Sequence, residues 1–537
     1  METKYSFWSS IPDFIGALTE SRWVSIDLVA TGISPYGPLP PDSTARERYE
    51  DAKKGAEMFQ ILQLGFTFCK YNEATYEYDT KTFEYPVSPL FSYQPGSSVL
   101  IQTLNRNFST SARRYALLQK GNFPFSRSMD LGVPYLSRNE ELEIKRRRIQ
   151  LREPEPIEFS LLYGKNLEFY RSSKAQIRVA LENAQPHEYI HVPICSQHGQ
   201  PLNDLEINII QQLLQQDFPS LVVKRAGDTG DIYVTRSDPT KASSLQLLNM
   251  EALSRHIGIR HLLEAIAGGD FASYINPQWV SKGLSARHGA HSHGNNRSAF
   301  GHTSDLPKAE AILKTKRPII VGHNLFRNLA IIYRTFFGTL PETVDEFLST
   351  IHQMFPRIVD TQYMFVRGQE QLGAPFDITK LEWLYGRNQY KTHPIVKSTD
   401  NFITLNANRA QRAGYRSAIT MVLFLKQAFY TREIWSDTPL VAQMVYQPSC
   451  STSSQRNTHS HRSRDNIIDQ QASQSTLVED QVLEPNLPVI PAFIPMTAST
   501  QPLSILPEDL ILPWSNPFWR EFGNKTAIGR NCRFEFM

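Results

Sequence analysis

The sequence predicts an α/β fold whose core is divided along the chain by a smaller inserted unit. Three observations support this prediction. Short apolar runs of the kind that form buried strands alternate with longer stretches of helical periodicity. A helix followed by two strand-like runs interrupts that alternation near the middle of the chain. The alternation then resumes and ends in a polar stretch rich in Ser, Gln, Thr, Asn and Pro.

The first part of the chain contains three strand signals and two helix signals. Strands are predicted from the apolar run 23–26, from the Ile-, Leu- and Phe-rich stretch 58–71, and from the alternating aromatic and polar residues of 76–85. Helices are predicted at 106–120 and at 139–153. In the second of these, acidic residues lead and basic residues trail, as the helix dipole favours.

The inserted unit is predicted from a helix at 204–218 and two strand-like runs at 221–225 and 231–236, joined by a glycine-containing turn. A loop rich in Gly, His and Ser follows at 285–307, and its composition cannot build a core. The core pattern resumes with a buried strand and a helix at 317–326 and continues to about residue 431.

We therefore expect five segments along the chain. They are the first part of the core domain (1–159), an inserted α+β domain (160–243), the second part of the core domain (244–436), a disordered linker (447–505) and a C-terminal aromatic docking segment (506–537). The last segment regains aromatic residues, so we expect it to dock on the body of the protein or on a partner.

Length and composition exclude several classes of protein. The chain has 537 residues, of which 41% are hydrophobic and 11% aromatic, so a wholly disordered chain is excluded. At roughly 100–200 residues per domain, this length suggests two to four domains. The 56 Lys and Arg against 53 Asp and Glu give a net charge of +3, which excludes a histone-like polycation but not a local basic groove.

The cellular compartment is inferred from the cysteines and from the missing targeting signals. Four cysteines lie far apart without a zinc-binding spacing, which favours a reducing compartment: Cys69, Cys195, Cys450 and Cys532. The sequence shows neither a signal-peptide pattern nor an apolar run of about 18 residues. We expect a soluble intracellular protein, in the nucleus or the cytoplasm, with no membrane partner.

Four short segments carry the residues that could do chemistry. Asp27 ends a buried strand before a glycine-containing turn, where α/β enzymes often place a metal ligand, although a capping or turn role fits as well. The residue two positions further shares its strand face, and there an Asp-x-Glu metal site would have Glu, but the residue is Val29. The other segments are GHNLFRN (322–328), FPRIVDTQYM (355–364, with Asp360 after an apolar run) and QRAGYR (411–416).

In content and order these segments resemble the poly(A)-specific ribonuclease (PARN) family of DEDD-type 3′ exonucleases. The matching stretches are SIDLVATGIS (25–34), ERYEDAKKGAEMFQILQLGFTFCKY (47–71), LGVPYLSRNEE (131–141), FPRIVDTQYM (355–364) and AGYRSAIT (413–420). The resemblance covers about 1–160 and 245–430, and it implies a ribonuclease H-like exonuclease fold with a mixed central sheet flanked by helices. The 204–236 unit stands where the family inserts a small nucleic-acid-binding domain, but the Arg-xxx-His motif of that domain is absent here.

The resemblance also implies a catalytic site that this chain has largely lost. Members of the family hold two divalent metals with four carboxylates and use a His as general base. Carried over by position, the first Asp is Asp27, the Glu becomes Val29, the second Asp becomes Asn328, the catalytic His becomes Gln411 and the third Asp becomes Arg416. The four ligand positions therefore sum to a charge of zero instead of −4. We expect a metal-free, inactive site in which Arg416 pairs with Asp27, because a buried carboxylate without a partner is costly.

RNA binding does not depend on the metals, and the resemblance implies where RNA would lie. Gly32 and Ile33 match residues beside the bound bases, and Asn324 is also kept, whereas Gln362 replaces a Lys that contacts RNA in the family. We expect a catalytically inactive protein that binds single-stranded RNA at poly(A) or 3′ ends, or that forms a homodimer or a heterodimer with an active homologue. One alternative is an active Mg²⁺-dependent 3′–5′ exoribonuclease or deadenylase. A second alternative is a protein-interaction scaffold without RNA binding. No cofactor is expected unless the active alternative holds.

Overall fold

A computed structural model describes most of the predicted core. The described residues are 6–37, 39–89, 104, 106–150, 157–184, 192–195, 202–225, 232–236, 250–281, 305–371, 380–400, 411–435, 511–528 and 532–536. The predicted linker 447–505, Cys450 and nearly all of the His-rich loop 285–307 lie outside these residues.

The strands form one large sheet, one small sheet and one hairpin. They are β1 (Trp23–Ala30), β2 (Ile61–Asn72), β3 (Glu77–Pro86), β4 (Val192–Ile194), β5 (Leu221–Arg225), β6 (Ile232–Arg236), β7 (Ile319–Gly322), β8 (Ile358–Asp360), β9 (Val396–Ser398), β10 (Lys525–Ile528) and β11 (Cys532–Glu535). The central sheet has the order β8–β7–β1–β2–β3–β9. Strand β2 runs antiparallel to β1 and β3, whereas β7 is parallel to β1, β8 to β7 and β9 to β3.

Helices cover both faces of this sheet. They are α1 (Ser6–Glu20), α2 (Ala45–Met58), α3 (Ala112–Lys120), α4 (Phe125–Leu131), α5 (Arg138–Gln150), α6 (Gly164–Asn183), α7 (Asp204–Asp217), α8 (Arg260–Ala267), α9 (Leu306–Thr315), α10 (Leu325–Ile332, continued by a π-helical turn Tyr333–Phe337), α11 (Val344–Met354), α12 (Thr361–Gln371), α13 (Leu381–Asn388), α14 (Ala413–Trp435) and α15 (Phe518–Phe522). The α/β class with a mixed central sheet flanked by helices is confirmed.

Strand β1 lies in the middle of the sheet and is buried on both faces. Because side chains alternate along a strand, Val24, Ile26 and Leu28 pack into the main core on one face. The opposite face carries Asp27 and Val29 and lies under α14. This alternation is the reason that the candidate Asp and the position of the missing Glu share one buried surface.

Helix α14 is held close to the sheet by small and polar residues. A Cβ on Gly65 of β2 would collide with the backbone of Ala413, so glycine lets the helix approach the strand. The Ser25 hydroxyl donates to the Ser417 carbonyl oxygen over 2.8 Å, and the Ala413 N–H donates to Gln63 Oε1 over 2.9 Å. These contacts fix the first two turns of α14 above β1 and β2.

The inserted region forms its own small sheet in the order β4–β6–β5, with α6 and α7 packed on it. The helix and the two strands predicted at 204–218, 221–225 and 231–236 are confirmed as α7, β5 and β6. A separate apolar core lies between them and includes Ile177, Ile209 and Val234. These features support an inserted domain, and its limits at 160 and 243 stay a prediction.

The C-terminal residues 511–528 and 532–536 dock on the β8 edge of the central sheet, on the body of the protein. The Asn524 N–H donates to the Ile358 carbonyl oxygen over 2.7 Å, and the Ile358 N–H donates to Asn524 Oδ1 over 2.9 Å. The ring of Phe534 stacks on Phe326, with the ring centroids 4.4 Å apart. The segment therefore covers an edge strand that would otherwise expose unpaired backbone groups.

Asp360 connects this docked segment to the core. Its carboxylate is fully buried and accepts hydrogen bonds from the Thr526 hydroxyl and from three backbone N–H groups, those of Asn324, Leu325 and Gln362. Burial raises the pKa of Asp360, and the four donors act in the opposite direction. Asp360 thus ties together the starts of α10 and α12 and the hairpin β10–β11.

None of the helices in the described part of the chain is long and apolar enough to cross a membrane.

Thr526→Val should destabilise the protein by about 1.5–3 kcal/mol, because it removes a hydrogen bond to a buried charged group. Loss of this donor raises the pKa of Asp360 further, so the destabilisation should be larger at about pH 7 than at about pH 4. Urea unfolding at both pH values measures the effect. Thr350→Val is the control, because Thr350 is a partly exposed helical residue whose hydroxyl donates to a backbone carbonyl and not to a charged group. Equal effects of the two substitutions would contradict the prediction.

Candidate functional site

The candidate site lies in the C-terminal half of β1, where Asp27 is 2% exposed. Asp27 does not end the strand as the sequence predicted, because it pairs with Gly65 of β2 and the strand continues to Ala30. The Leu28 N–H donates to Asp27 Oδ1 over 2.7 Å, and Arg416 Nε lies 3.2 Å from Asp27 Oδ2. Burial raises the pKa of the Asp27 carboxyl, whereas the charge of Arg416 and both hydrogen bonds act to lower it. The ion pair predicted between Asp27 and Arg416 is therefore present, well within the usual limit of about 4 Å.

Arg416 projects from the first turn of α14 and contacts two carboxylates. Besides Asp27, its Nη1 lies 3.0 Å from Glu382 Oε1, on α13. Burial acts to lower the pKa of Arg416, but the charges of Asp27 and Glu382 outweigh burial and raise it. Arg416 is therefore a fixed cation in the place where the resemblance implies a metal-binding carboxylate.

Val29 occupies an apolar environment. Its side chain is 2% exposed and packs in a cluster with Leu62, Leu118, Phe123 and Ala413. This apolar cluster favours a valine at position 29, because a carboxylate there would lose its hydration without gaining a hydrogen-bond or charge partner. The side chain of Val29 offers no lone pair to a metal.

Asn328 and Gln411 are both partly exposed. Asn328 lies in α10, which follows β7, and β7 pairs in parallel with β1 so that Val321 lies opposite Ser25. Gln411 precedes α14, and a Cβ on Gly121 would collide with its side chain, so it packs against the end of α3. The topology thus places both residues towards the C-terminal ends of β1 and β7.

The residues around Asp27 do not fit a pair of divalent metal ions. Hard cations bind carboxylate oxygens, and of the four positions only Asp27 supplies one. That carboxylate already contacts a guanidinium, which would repel a cation. Within the described ranges, no group of three or more His, Cys, Asp or Glu side chains is arranged to hold a metal.

The loop after β1 presents Ile33 to solvent from a fixed backbone. The Thr31 N–H donates to the Gln60 carbonyl oxygen over 2.9 Å, and the Ser34 hydroxyl donates to Asp51 Oδ1 over 2.6 Å. Gly32 lies against the ring of Phe59, so that any Cβ at this position would collide with the ring. Ile33 itself is 49% exposed.

The other predicted RNA-contacting residues differ in their access to solvent. Asn324 is exposed and has a left-handed backbone with φ of 53°, and its neighbour His323 bonds through Nδ1 to the Thr361 hydroxyl over 2.9 Å. His323 therefore supports the turn between β7 and α10. Gln362 is only 5% exposed, and its burial disfavours a direct contact of this side chain with RNA.

Sequence reasoning missed two residues of the site, Arg114 and Glu382. Arg114 on α3 donates through Nε to the Ala30 carbonyl oxygen over 3.2 Å. Burial, and then the nearby charge of Arg416, lower the pKa of Arg114 to about 10. A signal for Arg114 existed in the sequence, because it lies one helical turn before the apolar Leu118. No local pattern pointed to Glu382.

The mixed sheet with helices on both faces, and with Asp27 in its central strand, is the architecture of the ribonuclease H-like exonuclease fold. A family model described as CAF1 family ribonuclease matches residues 3–424, and the chain belongs to this family. The resemblance to the PARN proteins is also confirmed, at 20–24% identity.

Several relatives match over much of the chain. The poly(A)-specific ribonuclease PARN of Arabidopsis thaliana is 24% identical over 67% of this chain and 51% of its own length. The pre-piRNA 3′-exonuclease trimmer of Bombyx mori is 20% identical over 67% of this chain and 57% of its own length. The uncharacterized protein C29A10.09c of Schizosaccharomyces pombe is 23% identical over 70% of this chain and 78% of its own. The chain thus spans between half and three fifths of the length of the first two relatives.

Among solved structures, the Mg²⁺- and Mn²⁺-bound form of S. pombe Pop2p matches with a TM-score of 0.33 and 11% identity, over 80% of this chain and 91% of that chain.

Arg416→Met should destabilise the protein by about 3–5 kcal/mol at neutral pH, because it leaves the buried Asp27 carboxylate without its counter-ion. The substitution raises the pKa of Asp27 further, so the loss of stability should grow as the pH rises from about 4 to about 7. Adding Asp27→Asn to the same chain should restore much of the stability. Urea unfolding of the two single variants and the double variant measures this coupling.

The control for this cycle is Arg46→Met, which breaks an exposed pair with Glu50 and should cost under about 1 kcal/mol. An Arg416→Met variant as stable as this control would contradict the role given to the ion pair.

Proposed function

We propose that this protein binds the 3′ region of single-stranded RNA without cleaving it. The contact between Asp27 and Arg416 is the observation that carries the proposal, because it occupies the retained carboxylate with a cation that belongs to the chain. Two-metal cleavage needs metals that hold both the attacking and the leaving oxygen. A neutral amide at Gln411 also cannot accept a proton as a general base.

RNA as the ligand is supported by the family and by exposed side chains around the site. The printed names of two relatives describe a poly(A)-specific ribonuclease and a 3′-exonuclease. In this chain, Tyr36 is 76% exposed and Ile33 is 49% exposed, on the loop after β1. Lys54 lies over the Tyr36 ring at 5.4 Å from its centroid. Exposed rings and apolar side chains beside cations are the features with which proteins bind single strands.

The proposal extends to partners and location. We place the protein in the nucleus or the cytoplasm, where RNA 3′ ends are available, and we propose that a second copy or an active homologue can associate with it. We also propose that the inserted domain extends from residue 160 to residue 243 and that residues 447–505 act as a linker. Sedimentation of the purified protein, alone and mixed with a catalytically active relative, tests the association.

Purified protein incubated with labelled oligo(A) and Mg²⁺ or Mn²⁺ should not shorten the RNA, and a gel shift in EDTA should still show binding. The reason is that the site holds its own counter-ion and needs no metal. Shortening that disappears with EDTA and with Asp27→Ala would show an active exoribonuclease instead. Absence of both shortening and binding would favour a scaffold without RNA binding.

Restoring the family residues together should create a metal site. The variant carries Val29→Glu, Asn328→Asp, Gln411→His and Arg416→Asp. It should bind Mn²⁺ in calorimetry, because it gains three carboxylates and has four together with Asp27. Circular dichroism establishes that the variant is folded. The control is Val29→Glu alone, which retains Arg416 and should not bind. A folded quadruple variant that does not bind Mn²⁺ would contradict the positions assigned to the lost ligands.

A further inference from the structure

Arg114 is a cation beside the site for which the described residues supply no acidic partner. Its guanidinium is partly buried, and Nε donates to the Ala30 carbonyl oxygen, at the end of the strand that carries Asp27. Neighbouring Arg113 is exposed on the same helix. A partly buried cation is normally paired, so the unpaired charge of Arg114 indicates a position for an anion.

The geometry holds Arg114 in a fixed position. One helical turn further along α3, Leu118 is fully buried in the apolar cluster around Val29. This packing anchors the helix, and the bond from Nε to Ala30 then orients the guanidinium. None of the described residues hydrogen-bonds the two terminal nitrogens of Arg114, and an arginine uses these nitrogens in bidentate contacts with phosphates.

Arg416 provides a second guanidinium on the neighbouring helix, because α3 and α14 meet in the apolar cluster that contains Leu118 and Ala413. It has one permanent partner and one exchangeable partner. Asp27 is 2% exposed and cannot leave. The side chain of Glu382 is 41% exposed, so its bond to Nη1 is made at the surface. An exposed ion pair contributes little stability, and an anionic ligand can therefore displace Glu382 at small cost.

The charges of Arg114, Arg416, Asp27 and Glu382 allow this site to bind one phosphodiester group. Two arginines and two carboxylates sum to zero, and displacement of Glu382 leaves a net charge of +1 next to Asp27. One internucleotide phosphate carries a charge of −1. The exchange therefore keeps the site neutral, which a partly buried site requires.

We propose that Arg114 and Arg416 form a phosphate-binding subsite that takes an internucleotide phosphate near the 3′ end of single-stranded RNA. Glu382 occupies Arg416 in the free protein and is displaced when the phosphate binds. This inference rests on the proposed RNA binding and adds the chemical group that is recognised and the residue that competes for it. Glu382 acts as a positioning and competing residue, since it contacts Arg416 and not the RNA.

The test measures binding of fluorescein-labelled oligo(A) in EDTA at fixed ionic strength. Glu382→Gln should bind roughly threefold to fivefold more tightly, because the competing charge is gone. Arg114→Gln should bind roughly tenfold or more weakly, because a charge-assisted contact to phosphate is lost. Arg114→Lys keeps the positive charge and should recover part of the lost affinity. If Arg114→Gln does not fold, Arg114→Lys replaces it in the binding measurement.

Matched controls change the same charges elsewhere. Arg113→Gln removes a neighbouring exposed charge on the same helix, and Glu73→Gln removes one from the β2–β3 turn, at the opposite end of the sheet. Both should bind oligo(A) within about twofold of the unmodified protein, as expected for exposed charges. A second oligo(A) carries neutral methylphosphonates at its last internucleotide linkages. The unmodified protein should bind it more weakly than it binds ordinary oligo(A). Arg114→Gln should bind it almost as well as the unmodified protein does, because the charge that Arg114 recognises is already absent.

A second measurement uses inorganic phosphate alone and separates the two proposals. Phosphate should raise the melting temperature of the unmodified protein above its value in chloride at equal ionic strength. The same comparison should give a smaller rise for Arg114→Gln. If oligo(A) binds but the Arg114 and Glu382 variants behave like their controls, the subsite is wrong and RNA binding stands. If phosphate stabilises the protein through Arg114 but oligo(A) does not bind, phosphate binding at Arg114 stands, whereas RNA binding and the assignment of the subsite to RNA are wrong. If neither ligand acts, both are wrong.

Discussion

The charge contact between Asp27 and Arg416 joins the centre of the sheet to α14, and the arrangement of the site depends on it. A carboxylate buried on both sides by packed elements has no water to stabilise its charge. Arg416 supplies that stabilisation from the helix, and hydrogen bonds such as that from Ser25 to Ser417 set the distance between helix and strand. The contact therefore couples the electrostatics of the site to the packing of the core.

The changes at the site are consistent with one another as a set. Val29 extends the apolar cluster under α3, so the end of β1 needs no ion to balance it. Arg416 then provides one positive charge where metals would have provided several. Loss of the carboxylates without the arginine would leave Asp27 uncompensated, and the arginine without that loss would repel bound metals. Such mutual compatibility is what a sequence needs to specify one stable arrangement.

The sequence predicted the sheet core and the central ion pair, but it did not predict the rim of the site. Alternation along β1 placed Asp27 and Val29 on one face. The resemblance to the PARN family then pointed to Arg416, and the cost of an unpaired buried carboxylate made it the expected partner of Asp27. Glu382 reaches Arg416 through tertiary packing of α13, and no spacing in the sequence encodes that contact. The docking place of the C-terminal segment was equally hidden, because either the body or a partner could accept its aromatic residues.

The docked C-terminal segment has a consequence for biosynthesis. Residues 511–536 close the β8 edge only after the whole stretch 436–510 has been translated, which takes several seconds at about 5–20 residues per second. During that interval, an otherwise complete sheet leaves the ribosome with one edge uncovered and with Asp360 lacking the hydroxyl of Thr526. We therefore expect the nascent chain to be most exposed to chaperones and to aggregation while residues 436–510 are being translated.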